Sequence, residues 1–75
     1  METVNLEPWK PLTEPERDVL DLMGDGLTVA QITEKMQIPP RRAKWYSDNL
    51  KFKFAVGSWR DLMRISRARA ERGIR

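Results

Sequence analysis

The chain has 75 residues with no cysteine and no histidine, so it is one small domain with a thin core, burying only about 60% of the surface its unfolded form exposes. The missing residue types exclude disulfide staples, a thiolate nucleophile and the usual zinc ligands, and an enzyme with a deep enclosed pocket or a bound cofactor is not expected. The net charge of +3 hides an asymmetry: residues 1–40 carry three basic against eight acidic side chains, a net of −5, and residues 41–75 carry eleven basic against three acidic, a net of +8.

The basic half is a candidate polyanion surface, the alternative being a solvated charged face with a basic tail. No apolar run approaches the roughly 18 residues of a membrane span. The start, Met1-Glu-Thr-Val-Asn-Leu-Glu7, lacks the basic and apolar regions of a signal peptide, so a cytoplasmic location is expected, with neither a membrane partner nor an evident small-molecule ligand.

Residues 1–11 contain Pro8 and Pro11 and show no helical periodicity. They fit an extended arm from which Trp9 can fold back onto the core. The remaining chain, about 12–72, reads as a domain of four helices near 14–24, 28–37, 40–54 and 58–72. The first is opened by Thr13-Glu-Pro-Glu16. In this capping box the Thr13 hydroxyl accepts from an early backbone N–H and Glu16 reaches back to the cap, while Pro15 sits where no donor is missed. Val19, Leu20, Leu22 and Met23 form its apolar stripe, and Gly24-Asp-Gly26 ends it with residues that tolerate positive φ.

Thr28-Val-Ala-Gln31 repeats the box and opens a short second helix with Ala30, Ile32 and Met36 as its apolar positions. Pro39 and Pro40 then make a stiff break. Pro40 suits the first turn of a third helix, and Pro39 is held extended by the proline after it. From Arg41 to about Phe54 the apolar positions Ala43, Tyr46, Leu50 and Phe54 are spaced three, four and four, leaving Arg41, Lys44, Trp45, Asp48, Lys51 and Phe52 towards the outside. A helix packed wholly inside would not carry this many charges on one side. Ser58 can cap the fourth helix, with Asp61 favouring its positive end. Trp59, Leu62, Met63, Ser66 and Ala70 form its stripe, Arg60, Arg64 and Arg67 lie off it, and Gly73 is a suitable stop. Nothing alternates like a strand, so the fold class is all-α.

The segment Leu12-Thr-Glu-Pro-Glu-Arg-Asp-Val-Leu20 resembles the opening Leu-Thr-x-x-Glu-Arg-Glu-Val-Leu of the LuxR-type (GerE-like) helix-turn-helix domain. Gly26-Leu-Thr28 followed by Ile32, then Lys44, Asn49, Leu50, Lys53-Phe-Ala-Val56 and Asp61-Leu62, are similar to the rest of that pattern without a gap. The resemblance covers roughly residues 12–70. It implies a four-helix domain of a DNA-binding transcriptional regulator in which the third helix enters the major groove and the fourth often forms a dimer contact, here on Trp59, Leu62, Met63 and Ser66. The chain departs from the pattern in four places. Pro39-Pro-Arg-Arg-Ala43 replaces Ser-Glu-Lys-Thr-Val, losing a hydroxyl cap and adding two cations. Tyr46 replaces a histidine, Thr33 a small alanine, and Ala55 a glycine.

Candidate DNA contacts follow. The resemblance aligns Lys44 with a position that contacts DNA, and its stem can reach a base edge or a phosphate. Arg41 and Arg42 lie in the first turn of the third helix, where a groove-entering helix meets DNA, although a cation there opposes the helix dipole. Thr28 is first a cap and secondarily a phosphate contact at a helix N-terminus. Asp48 either accepts from a cytosine amino group, pairs with Lys44 or Lys51, or marks a face away from DNA, the ion pair being favoured. Trp45 can pack against the first helix or the arm, lie along the sugar-phosphate backbone or anchor a protein, and partial burial is expected. Asp18 and Asp21 face no inferable cleft and are expected to be solvated.

The leading expectation is a sequence-specific reader of double-stranded DNA, acting as a homodimer to regulate transcription. The alternative is a small helix-turn-helix adaptor that grips another regulatory protein or a polymerase subunit through Trp45, Phe52 and the basic fourth helix. RNA binding is a weaker third reading, since no strands present stacking aromatics.

Overall fold

The computed structural model describes residues 6–73, which form four helices in the order α1 (Glu14–Gly24), α2 (Val29–Met36), α3 (Pro40–Phe54) and α4 (Trp59–Glu71). Both expected capping boxes are made. Thr13 accepts from the Glu16 N–H at 3.4 Å and Glu16 accepts from the Thr13 N–H at 2.8 Å. Thr28 and Gln31 exchange the equivalent pair at 3.2 and 2.9 Å. Ser58 caps α4 by accepting from the Asp61 N–H at 3.1 Å. α3 has no side-chain cap, and Pro40 at its first position donates nothing that would need one.

α1 packs against α3 and α4, and α2 packs mainly on α3. Val19, Leu20, Met23, Ile32, Leu50, Leu62 and Ile65 are almost completely buried where these helices meet, with Ala43, Tyr46 and Phe54 beside them. At about 1.5–3 kcal/mol for each fully buried large side chain, this small set is the main force holding the domain together. The expected stripe of α3 is the buried one. Two other stripes are corrected. In α2, Ala30 is exposed and Ile32 alone is fully buried, since eight residues meet α3 along a single line. In α4 the buried line is Leu62, Ile65 and Ser66, and Trp59, Met63 and Ala70 are half-buried at its edge.

Three of the helices end alike. The residues after the last turns of α1, α2 and α3 include one with left-handed backbone: Gly26 (φ 91°), Gln37 (φ 56°) and Ala55 (φ 58°). In each case the next residue donates its N–H five positions back, Leu27 to Leu22, Ile38 to Thr33 and Val56 to Lys51. The donor is always a half-buried apolar residue packed against the core, so the chain is turned and anchored at once. Between α2 and α3 this leaves only Gln37 to Pro39 as the turn, with Pro39 extended at φ −68° and ψ 153°.

The arm lies along the end of α3. The Trp9 N–H donates to the Lys53 carbonyl at 2.9 Å and its indole Nε1 to the Phe52 carbonyl at 2.7 Å. Both acceptors belong to the last turn of α3, where carbonyls lack partners within the helix. Lys53 Nζ donates to the Pro11 carbonyl at 3.0 Å, and Arg69 Nη1 to that of Leu6 at 2.7 Å.

Candidate nucleic-acid interface

The two motif helices meet at a stiff corner, and what lies on the outer side of α3 follows from what its inner side must bury. With Ala43, Tyr46, Ser47, Leu50 and Phe54 turned inward, a 3.6-residue period places Arg41, Trp45, Asp48 and Phe52 along the middle of the outer face. Lys44 and Lys51 lie to one side of that line and Arg42 to the other. Arg41, Arg42 and Lys44 are exposed, and among the described residues none of them has an ion-pair partner. Arg41 and Arg42 line an open hollow together with Trp45.

Asp48 pairs with Lys51 at 3.4 Å and not with Lys44, so its charge is offset within its own helix. The expected partial burial of Trp45 is not found. The residue stays 57% exposed, and its ring contact among the described residues is with the neighbouring Tyr46, centroid to centroid 5.3 Å, because the arm runs to Phe52 instead. Thr28 sits at the start of α2, its oxygen occupied in capping. Ser47 turns its hydroxyl back to the Lys44 carbonyl at 2.8 Å, and Thr33 does the same to Ala30 at 2.7 Å, so neither offers a free polar group to a ligand.

The proposed α4 contact residues divide. Trp59 and Met63 are half-buried, but Leu62 is fully buried and Ser66 is 5% exposed. Both belong to the interior of the protomer, and a second copy cannot touch them directly. The reason lies in α1. A Cβ on Gly24 would stand 2.1 Å from Ser66 Oγ, so the missing side chain lets α4 approach along the line that contains Ser66.

Several basic residues are structural. Lys53 is 14% exposed and pairs at 2.5 Å with Glu16, which is 3% exposed. Burial pushes the Glu16 carboxyl up, but the Lys53 ammonium and the two bonds with Thr13 outweigh it and hold the carboxyl below its ordinary range. Arg67 donates to the Gly24 carbonyl at 3.2 Å, and Arg69 lies 5.7 Å from the Phe54 ring centroid. These partners stand 43 residues away or more for Arg67 and the Arg69–Leu6 bond, and 37 away for Lys53–Glu16, beyond any local spacing signal. Among the described residues no cluster of carboxylates could hold a metal ion, and no helix is long and apolar enough to cross a membrane.

The arrangement is thus a helix-turn-helix whose second helix displays exposed cations over its first two turns. A family model described as GerE, bacterial regulatory proteins, luxR family, matches residues 10–66. The chain belongs to the LuxR family. The match runs from the arm through α3 and ends in α4 at Ser66, so the helix-turn-helix of the LuxR-family DNA-binding regulators is present whole. No match to the chain was found among curated proteins or among solved structures. The chain's departures from the family pattern now have a place. Ala55 holds the left-handed position where the pattern has glycine, Thr33 is half-buried with its hydroxyl bonded to its own helix, and the cap lost at Pro39 is not replaced.

Proposed function

We propose that this LuxR-family domain reads double-stranded DNA sequence-specifically and regulates transcription, with α3 lying in the major groove. The observation that carries this reading is the trio Arg41, Arg42 and Lys44, exposed and without ion pairs among the described residues, at the leading end of a helix whose other side is fixed in the core. Lys44 reaches a base edge or a phosphate, Arg41 and Arg42 meet the backbone and the first bases of the groove, and Trp45 lies against base edges or sugars between them. Lys51, shared with Asp48, supports a phosphate at the far side, and Thr28 brings the start of α2 against the backbone.

The domain acts on a pseudo-palindromic site as a homodimer, its half-sites about one helical turn apart. Since Leu62 and Ser66 are internal, the second copy rests on the Trp59 and Met63 edge of α4. Lys44→Ala is expected to weaken specific binding by roughly 1–3 kcal/mol and to relax base preference. A gel-shift titration in which that variant keeps both affinity and preference would remove Lys44 from the site. The exposed Trp45 and Phe52 favour a second reading, in which the same fold grips a regulatory protein or a polymerase subunit.

A further inference from the structure

Three of the four large apolar side chains exposed among the described residues lie on or beside α3: Trp9, Trp45 and Phe52, at 56%, 57% and 60%. The core does not require them to be apolar, because Ala43, Tyr46, Leu50 and Phe54 fill it from the opposite side of the helix. Trp45 and Phe52 are seven residues apart and therefore project from one face about 10.5 Å apart along the axis. Trp9 extends the row, its ring edge-to-face with Phe52 at 4.9 Å between centroids. The hydrogen bonds from Trp9 to the Phe52 and Lys53 carbonyls hold it there. The result is an apolar ridge whose parts are fixed before any partner arrives, which lowers the entropy lost on docking.

The ridge is cationic at its Arg41 end and along its flanks. Arg41, Arg42 and Lys44 lack ion pairs among the described residues, and Lys10 stands over the Trp9 ring at 5.3 Å. The carboxylate in the row, Asp48, is offset by Lys51. A second copy presenting this same face would set like charge against like charge, which argues for a partner of opposite sign.

We propose that this ridge docks an acidic amphipathic helix of another protein, with apolar side chains against Trp45, Phe52 and Trp9 and carboxylates meeting Arg41, Arg42 and Lys44. Apolar residues at i, i+3 or i+4, and i+7 of such a helix span the same about 10.5 Å that separates Trp45 from Phe52. Helices packed side by side run 8–10 Å apart, close enough for its carboxylates to reach the flanking cations. A single nucleic-acid strand is the poorer occupant. It needs ring faces free along a groove that follows its backbone, whereas α3 is convex and the Trp9 ring already carries Lys10 on it and Phe52 beside it. The docked helix covers Arg41, Lys44 and Trp45, so it competes with duplex DNA.

The test is nuclear magnetic resonance of the free full chain, titrated with a synthetic peptide of about 18 residues, five helical turns, with Leu along one face and Glu elsewhere. The indole N–H signals of Trp9 and Trp45 should move saturably and that of Trp59 should stay. Trp45→Ala and Phe52→Ala replace exposed side chains and should each weaken binding about tenfold while helical content is unchanged. A peptide with Lys in place of Glu should cause no shift. The proposal is overturned if the Lys peptide or a scrambled Leu/Glu peptide binds equally well, if Trp59 moves instead, or if neither substitution matters. It is overturned equally if a mixed-sequence single-stranded oligonucleotide moves the Trp9 and Trp45 signals and the acidic peptide does not. Direct peptide binding is measured without DNA, so its failure is distinct from a failure of the duplex reading.

Discussion

Gly24 and Gly26 stand two residues apart and are glycine for different reasons. Gly26 takes φ 91°, a conformation that L side chains rarely adopt, and nothing lies within 4 Å of where its Cβ would be. Gly24 lies within α1, but a Cβ there would stand 2.1 Å from Ser66 Oγ and 2.8 Å from Ser66 Cβ. Gly→Ala inside a helix ordinarily gains about 0.5–1 kcal/mol; here the overlap with α4 is larger, since overpacking costs about 1–3 kcal/mol. Gly24→Ala is therefore expected to lower stability in urea denaturation, and adding Ser66→Gly should recover part of the loss, a coupling that independent sites would not show. A second residue-scale effect is electrostatic. The Glu16 carboxyl is held below its ordinary value of 4.5 by Lys53 and Thr13 against the opposing pull of burial. A carboxyl with a depressed folded-state pKa contributes stability that is present above the unfolded value and disappears as pH falls through the folded one. Glu16→Gln keeps an acceptor for the Thr13 N–H but loses the charge. The stability gap between wild type and this variant should be full at pH 7 and close as pH drops below about 4.5; a gap independent of pH would mean that the Lys53 pair contributes nothing.

At the scale of the element, α1, α2 and α3 share a C-terminal device, a left-handed residue followed by an apolar one whose N–H reaches five residues back. Gly26 adopts that backbone freely, whereas Gln37 and Ala55 hold it against a cost of about 1–2 kcal/mol per L-residue. Gln37→Gly and Ala55→Gly should each raise stability by about 0.5–1 kcal/mol, the relieved strain being partly cancelled by the greater freedom of glycine in the unfolded chain. Thermal unfolding of the two variants checks this, and a loss of stability in both would show that the turns carry no strain. The same ends show what a sequence can reveal. Capping boxes at Thr13 and Thr28, the Gly24-Asp-Gly26 stop and the two prolines are local chemistry, and they marked the helix ends directly. Gln37 left no such mark, because the left-handed state there is imposed by Ile38 packing into the core and not by any preference of glutamine. Ile65 is absent from the expected stripe of α4 for a related reason, although Leu62 and Ser66 are in it. Leu62 and Met63 are adjacent in α4, and only the close approach of α4 to Gly24 decides which side turns inward. The Arg41–Lys44 trio was legible because the prolines set the phase of α3. The fixing of Trp9, Lys53 and Arg69 to distant carbonyls was not, since such pairs have no periodicity.

At the scale of the whole molecule, the net +8 of residues 41–75 is not all free to meet a ligand. Much of the positive charge is already committed. Lys53 neutralises Glu16, Lys51 and Arg64 pair with Asp48 and Asp61, and Arg67 and Arg69 bond to the Gly24 and Leu6 carbonyls. Arg41, Arg42 and Lys44 of α3 have no ion-pair partner among the described residues, and this limits how strongly DNA binding can depend on salt. Each neutralised phosphate of a duplex contributes about −0.9 to the slope of log affinity against log salt. If all three hold phosphates, and Lys51 adds little because Asp48 offsets its charge, the slope is about −2.7 for one copy on a half-site and about −5.4 for two copies on a full site. Lys44→Ala should reduce the slope by about 0.9 per bound protomer if Lys44 holds a phosphate, and should leave it unchanged while altering base preference if Lys44 reads a base edge. Titrating duplex DNA at several salt concentrations, with the mass of the complex measured in parallel, therefore counts protomers and assigns Lys44 together. A slope near zero would mean that the uncommitted cations of α3 do not face DNA phosphates, and that this side of the molecule is kept for a protein.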